Sequence, residues 1–222
     1  MKGDGDCMNV LIINCSSGMR VHLCTDDKIY SKIDDNQKKH TDELLLCVDN
    51  LLRDAKLLIS DIDVYAVFVG PGSFTGVRVA ISICKGLAIG NPKAKIVQFS
   101  NFDSMSHDVL EDSLFVLEGF SEYVYIRKLI SGEIIDDCVS VSDLKNIVIS
   151  SKMINIYADK EKTQNMLKKH EINAKIAQNN EISCVKDAIL KNKFCNLRQI
   201  TPIYLRASQA EIERNKRLNE NG

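Results

Sequence analysis

Apolar residues fall along this chain in short blocks that switch between two periods. Residues 10–13 form a continuous apolar run, the pattern of a strand buried on both faces. The run stops at Asn14-Cys15-Ser16-Ser17-Gly18, a cluster of turn formers. Residues 21–24 predict a returning strand, with Asp26-Asp27 as the hairpin turn, and residues 28–32 predict a third. After a polar loop at 34–39, Thr41-Asp42-Glu43 supplies a cap and two acids to the start of a helix, where the helix dipole favours them. Leu44, Leu45, Val48, Leu51 and Leu52 follow at helical spacing. Residues 62–69 predict another buried strand that runs directly into Gly70-Pro71-Gly72-Ser73-Phe74-Thr75-Gly76. A second helix follows as far as Ile89, and its Ala80, Ser82, Cys84, Gly86 and Ala88 are small enough for another helix to approach closely. Residues 94–99 read as a strand, and a helix begins at Ser100.

Beyond residue 110 the pattern weakens. Residues 114–117 and 123–130 predict paired strands, and 147–149 and 155–158 predict two more. Residues 160–169 and 184–191 read as helices, and 201–206 as a short extended segment. This gives a flexible leader at 1–8, an N-terminal αβ lobe at 9–105, a smaller and divergent lobe at 106–206, and a charged tail at 207–222.

Composition narrows the class. The 222 residues are 45% hydrophobic and 27% charged, with 3 Pro, 11 Gly and no Trp, which excludes disordered, collagen-like and disulfide-stapled miniprotein chains. The net charge of -1 argues against a dedicated nucleic-acid binder, which needs a basic surface. The total hides a split: residues 1–150 carry 15 basic and 22 acidic residues, and 151–222 carry 14 and 8. The basic remainder is either a solvated lysine-rich face or a surface for a different partner. The eight cysteines include no C-x-x-C pair and none at zinc-ligand spacing to a His. With no secretory signal and no apolar run near the ~20 residues of a membrane span, the expectation is a reduced, soluble, cytoplasmic protein.

The candidate chemistry lies in two turns. The segment 70–78, GPGSFTGVR, places three glycines between a strand and a helix, where backbone N–H groups can face an anion. It lacks the lysine of a P-loop, and its third glycine comes one residue too late for a dinucleotide fingerprint. Spacing alone leaves a structural turn and a phosphate cradle equally open, and leaves Arg78 either holding an anion or pinning the loop. Asn14, Ser16 and Ser17 follow the first strand, where an actin-like ATPase would face a phosphate. That chemistry needs an Asp to hold magnesium through water, and the residue here is Asn14. The histidines (His22, His40, His107, His170) are scattered, so neither a metalloprotease ligand set nor a base for Ser16, Ser17, Ser73 or Thr75 is visible.

Four segments together resemble the TsaB (YeaZ) family: GPGSFTGVR after a buried strand, Ile12-Ile13-Asn14-Cys15-Ser16-Ser17, His40-Thr41-Asp42-Glu43-Leu44-Leu45, and Pro202-Ile203-Tyr204-Leu205-Arg206. The resemblance covers residues 9–106 and 202–206. It implies an α/β protein with the actin-like ATPase (ribonuclease-H-like) fold: two lobes, each a mixed β-sheet flanked by helices. It also implies a non-catalytic scaffold subunit of the complex that transfers threonylcarbamoyl to N6 of adenosine 37 in tRNAs reading ANN codons. The implied partners are a catalytic TsaD-like subunit and a TsaE-like ATPase, with homodimers when alone. The tRNA would be met only through the complex, and no membrane is involved. No metal and no cofactor is required, and ATP or ADP binding is left open. Pairing would use the helices near 41–56 and 75–89, through His40, Glu43, Leu44, Cys47, Leu51, Val77, Ala80, Ile81, Cys84, Lys85 and Ala88. The turn residues Gly70, Pro71, Gly72, Ser73, Phe74, Thr75, Gly76 and Arg78 form the family motif.

Two departures matter. The family usually has Asp at the position of Asn14. Its D-A-R-x-x-E-V-Y segment reads Glu118-Gly119-Phe120-Ser121-Glu122-Tyr123-Val124-Tyr125 here, so Phe120 replaces the Arg and Tyr123 the Glu. The competing readings are a weak ATPase of the same superfamily and a peptidase.

Overall fold

A computed structural model describes residues 8–34, 40–151, 153 and 155–205, with the side chains of residues 40–42 excepted. The leader at 1–7, the loop at 35–39, Arg206 and the tail expected at 207–222 lie outside the described residues, as does the side chain of His40.

The first compact unit combines Met1–Leu110 with Ile176–Ile203. Its sheet has the order β3-β2-β1-β4-β5, with β1 at Val10–Asn14, β2 at Met19–Cys24, β3 at Ile29–Asp34, β4 at Val64–Phe68 and β5 at Lys95–Phe99. Strand β2 pairs antiparallel to both β1 and β3, whereas β4 pairs parallel to β1 and β5 parallel to β4. Every residue of β1 and β4 is buried, which explains their unbroken apolar sequences. One sheet face carries α1 (His40–Ala55) and α2 (Phe74–Gly90). Their Leu44, Val48, Leu51, Val77, Ala80 and Ile81 pack on Leu11, Ile13, Tyr65 and Val67. Full burial of each large aliphatic there stabilises the unit by about 1.5–3 kcal/mol. The other face packs Val10, Ile12, Ala66, Phe68 and Phe99 on Cys184, Val185, Ala188 and Ile189 of α6, Glu181–Leu190.

The second unit holds Glu111–Lys175 and the chain from Tyr204. Its sheet has the order β10-β9-β6-β7-β8: β6 is Ser113–Glu118, β7 Tyr123–Ile130, β8 Glu133–Ser140, β9 Asn155–Ala158 and β10 Lys175–Ile176. The helices α4 (Val141–Ser151) and α5 (Glu161–Lys169) complete a core of Leu114, Val116, Val124, Ile126, Leu144 and Leu167. A short α3, Asn101–Met105, belongs to the first unit.

Three features differ from the sequence expectation. The strand expected at 147–149 is the end of α4. Val141 and Leu144 are buried and Ile147 and Val148 half-buried, the 3–4 spacing of a helix, and Ser140 Oγ accepts from the Asp143 amide at 3.1 Å as its cap. The strand β8 has no buried residue and shows no alternating pattern to reveal it. Finally, 106–206 is not one structural unit, because residues 176–203 return to the first.

Candidate functional site

The peptide Gly70-Pro71 is cis, and the GPGSFTG turn lies directly against the loop that follows β1. The Ser73 amide donates to Ser16 O at 2.6 Å, and Ser73 caps α2 by accepting from the Gly76 amide at 3.2 Å. The glycines are required by closeness. A Cβ on Gly76 would sit 1.9 Å from Cys15 O, and one on Gly72 would sit 2.5 Å from Ser16 O. Arg78 lies over the Phe74 ring, 3.8 Å from its centroid.

Beneath this turn is a buried polar network. Asn14, Ser16, His22, Asn101 and Glu181 are all buried. Asn14 Oδ1 accepts from the Ser16 amide at 3.0 Å and from Ser16 Oγ at 2.6 Å. Asn14 Nδ2 donates to Asn101 Oδ1 at 3.0 Å and to Glu181 Oε1 at 2.6 Å. Both donors and both acceptor positions of this amide are therefore filled. Asn101 Nδ2 in turn donates to Ser16 Oγ and to Pro71 O, each at 2.6 Å. Glu181 also meets His22 Nε2 at 3.1 Å and Arg20 Nη1 at 3.8 Å, and His22 Nδ1 faces Ser31 Oγ at 2.8 Å.

Burial by itself would push the Glu181 carboxyl up. Hydrogen bonds from His22 and Asn14, with the charges of Arg20 and His22, outweigh it and hold the group below the ordinary carboxylate range. The sign follows from linkage: a depressed folded-state pKa contributes stability that is present above the unfolded value of about 4.3 and lost as pH falls through the folded one. The stability gap between wild type and Glu181→Gln, read by urea unfolding, is expected to narrow below about pH 4.3. A gap that stays constant down to pH 3 would contradict this placement of the charge.

The arrangement does not suit a magnesium-phosphate site. Magnesium is held by carboxylates through water, and the position that would supply one presents an amide whose hydrogens are already donated. The N–H groups of Ser16, Ser73 and Gly76 are likewise committed within the chain. Nor is a nucleophile prepared. The Ser16 hydroxyl donates to an amide oxygen, which cannot act as a base at neutral pH. The thiols of Cys15 and Cys84 are pushed up to about 12, first by burial and then by the neighbouring Cys47 and Cys195 respectively. Sequence reasoning found Asn14, Ser16 and the turn, but missed Asn101, His22 and Glu181.

The expected pairing residues need correction. Leu44, Cys47, Leu51, Val77, Ala80, Ile81, Cys84 and Ala88 are all buried in the first unit's own core, because the apolar stripe of each helix lies on the sheet. Glu43 and Lys85 are half-buried. The outward faces present Leu45 and Leu46 of α1, 54% and 58% exposed. On α2 they present exposed Ser82 and Gly86, flanked by half-buried Val79, Ile83 and Leu87. In the second unit, Phe120 and Tyr123 are exposed around the β6–β7 turn. No helix among the described residues is long and apolar enough to cross a membrane.

Comparison with known proteins places these features. The family model for TsaD, tRNA N6-adenosine threonylcarbamoyltransferase, matches residues 28–113. The chain is 37% identical over 75 residues to the tRNA threonylcarbamoyladenosine biosynthesis protein TsaB of Haemophilus influenzae, covering 34% of this chain and 31% of that protein. It is 34% identical over 84 residues to the Escherichia coli protein of the same name, covering 37% and 36%. The matched stretch thus spans about a third of the length of these two relatives. A longer match, 22% identical over 170 residues and 73% of each chain, joins it to TsaB of Buchnera aphidicola from Acyrthosiphon pisum. In fold, it resembles YeaZ from Pseudomonas aeruginosa with a TM-score of 0.65 at 17% identity, over 89% of this chain and 100% of that one. A second Pseudomonas aeruginosa structure, described as similar to peptidase YeaZ, gives 0.68 at 18% identity over 90% and 100%. In sequence the chain is thus similar to TsaB proteins over part of their length, and in fold, with its two mixed five-stranded sheets flanked by helices, it resembles YeaZ.

Proposed function

We propose that this chain is a non-catalytic subunit of the cytoplasmic machinery that transfers threonylcarbamoyl to N6 of adenosine 37 in ANN-decoding tRNAs. It works by pairing with a TsaD-like catalytic subunit and supporting a TsaE-like ATPase, meets tRNA only through that complex, and forms homodimers when alone. The observation that carries the reading is Asn14. Both amide hydrogens of Asn14 go to Glu181 and Asn101, so the site where a catalytic relative would need a carboxylate is built as a structural joint. A scaffold loses nothing by that substitution; an ATPase would.

Pairing is assigned to the outward faces of α1 and α2. Leu45 and Leu46 expose apolar area there, the kind of patch that marks a protein contact. On α2, Ser82 and Gly86 leave room for a partner helix to come close. A Cβ at Gly86 would meet nothing within 4 Å, so Gly86→Glu fits the free protein. Replacing glycine in a helix interior is also favourable by up to about 1 kcal/mol. The variant is expected to keep or raise Tm and to lose capture by an immobilised TsaD-like subunit at least tenfold. Undiminished capture would remove α2 from the interface, and failure of the wild-type chain to bind at micromolar concentration would remove the reading.

A further inference from the structure

We propose that a cleft at the far end of α2 binds a small amphiphilic carboxylate, a ligand with an aliphatic body and one anionic end. The helix closes at Gly90, about 24 Å along its axis from the GPGSFTG turn. There Asn91 ties the chain down by donating to Ile59 O at 3.1 Å and Ile62 O at 2.9 Å. The chain re-enters as β5, an edge strand of the first sheet. The returning segment after α6 meets β5 through an isolated bridge, in which the Cys195 amide donates to Ile96 O at 2.9 Å.

Between that segment and the end of α2 an open cleft of about 350 Å³ remains, within the size range of small-molecule sites. Ile89, Pro92, Ile96, Phe194 and Leu197 give it apolar walls, and Lys95 contributes the charged group. The Lys95 ammonium stands 4.4 Å from the centroid of the Phe194 ring. It makes no ion pair with a carboxylate among the described residues. Apolar walls favour an aliphatic body, and an ammonium held against an aromatic face without a counter-ion among the described residues favours an anionic terminus. The cleft takes no part in the Asn14 network, while its Ile89 shares the outward face of α2 with Ser82 and Gly86.

Calorimetric titration of the full chain with octanoate, octanol and acetate tests it. Octanoate is expected to saturate with a Kd of about 0.1–1 mM, octanol to bind more weakly, and acetate not to bind. Lys95→Gln, at an exposed position, is expected to leave Tm unchanged. It should weaken octanoate about tenfold while leaving octanol as it was. Acetate binding as tightly as octanoate would overturn the proposal. So would an unaltered octanoate affinity in Lys95→Gln, or no saturation by 10 mM octanoate.

Discussion

Gly76→Ala is expected to destabilise the protein by about 3 kcal/mol or more, a fall in Tm of about 6–12 °C for a chain of this size. The added Cβ would stand 1.9 Å from Cys15 O and 3.0 Å from Cys15 C. Both contacts are with backbone, so no side-chain rotation relieves them. Relief requires α2 to lift away from the β1 loop, which breaks the 2.6 Å bond from the Ser73 amide to Ser16 O and loosens the roof over Asn14. Gly86→Ala serves as the control, because nothing lies within 4 Å of its new Cβ; it should be neutral or stabilising by up to about 1 kcal/mol. Thermal unfolding of the two variants side by side decides the matter. Equal Tm values would mean that the closeness of turn and loop does not shape this motif.

Asn14→Asp is expected to be the second large effect, and its sign depends on pH. The substitution removes the two donors that serve Asn101 and Glu181 and sets a second carboxylate where Asn14 Nδ2 now meets Glu181 Oε1 at 2.6 Å. At pH 7 the uncompensated buried charge should cost about 3–5 kcal/mol. Two carboxylates this close share a proton, so the folded-state pKa of the pair lies above its unfolded value. The stability that the bound proton confers is present below the unfolded pKa and lost as pH rises through the folded one. The deficit relative to wild type should therefore shrink as pH falls from 7 toward 4. Urea midpoints across that range measure it. A variant as stable as wild type at pH 7 that also gained magnesium-dependent ATP hydrolysis would show the site to be a latent ATPase rather than a joint.

The parts of this picture that the sequence reveals are those governed by local rules. Residues 10–13 and 64–68 are buried on both faces, and a strand of that kind writes itself as an apolar run. Gly72 and Gly76 signal a turn, although only the distances to Ser16 O and Cys15 O explain why glycine is needed at both. The misses have physical causes of their own. Glu181 reads locally as an acid in the first turn of a helix. Its contact with Asn14 spans 167 positions, and no spacing rule reaches that far. The same return of the chain defeats a division at residue 105. The apolar residues expected to pair lie on the stripes of α1 and α2 that face the sheet, and on a helix laid over a sheet that stripe is the core. The outward residues Ser82 and Gly86 are inconspicuous because small, exposed positions leave no apolar period in the sequence.

The central claim is that the chain contributes by contact rather than by chemistry, and one reconstitution tests it most directly. Transfer of threonylcarbamoyl to an ANN-decoding tRNA would be followed with TsaD-like and TsaE-like proteins from the same organism. Three additions would be compared: none, the wild-type chain, and Gly86→Glu. The account expects transfer to depend on the wild-type chain and to be lost with Gly86→Glu, while the chain alone hydrolyses no ATP above background. Transfer at the same rate without the chain, or ATP hydrolysis by the chain alone, would contradict it.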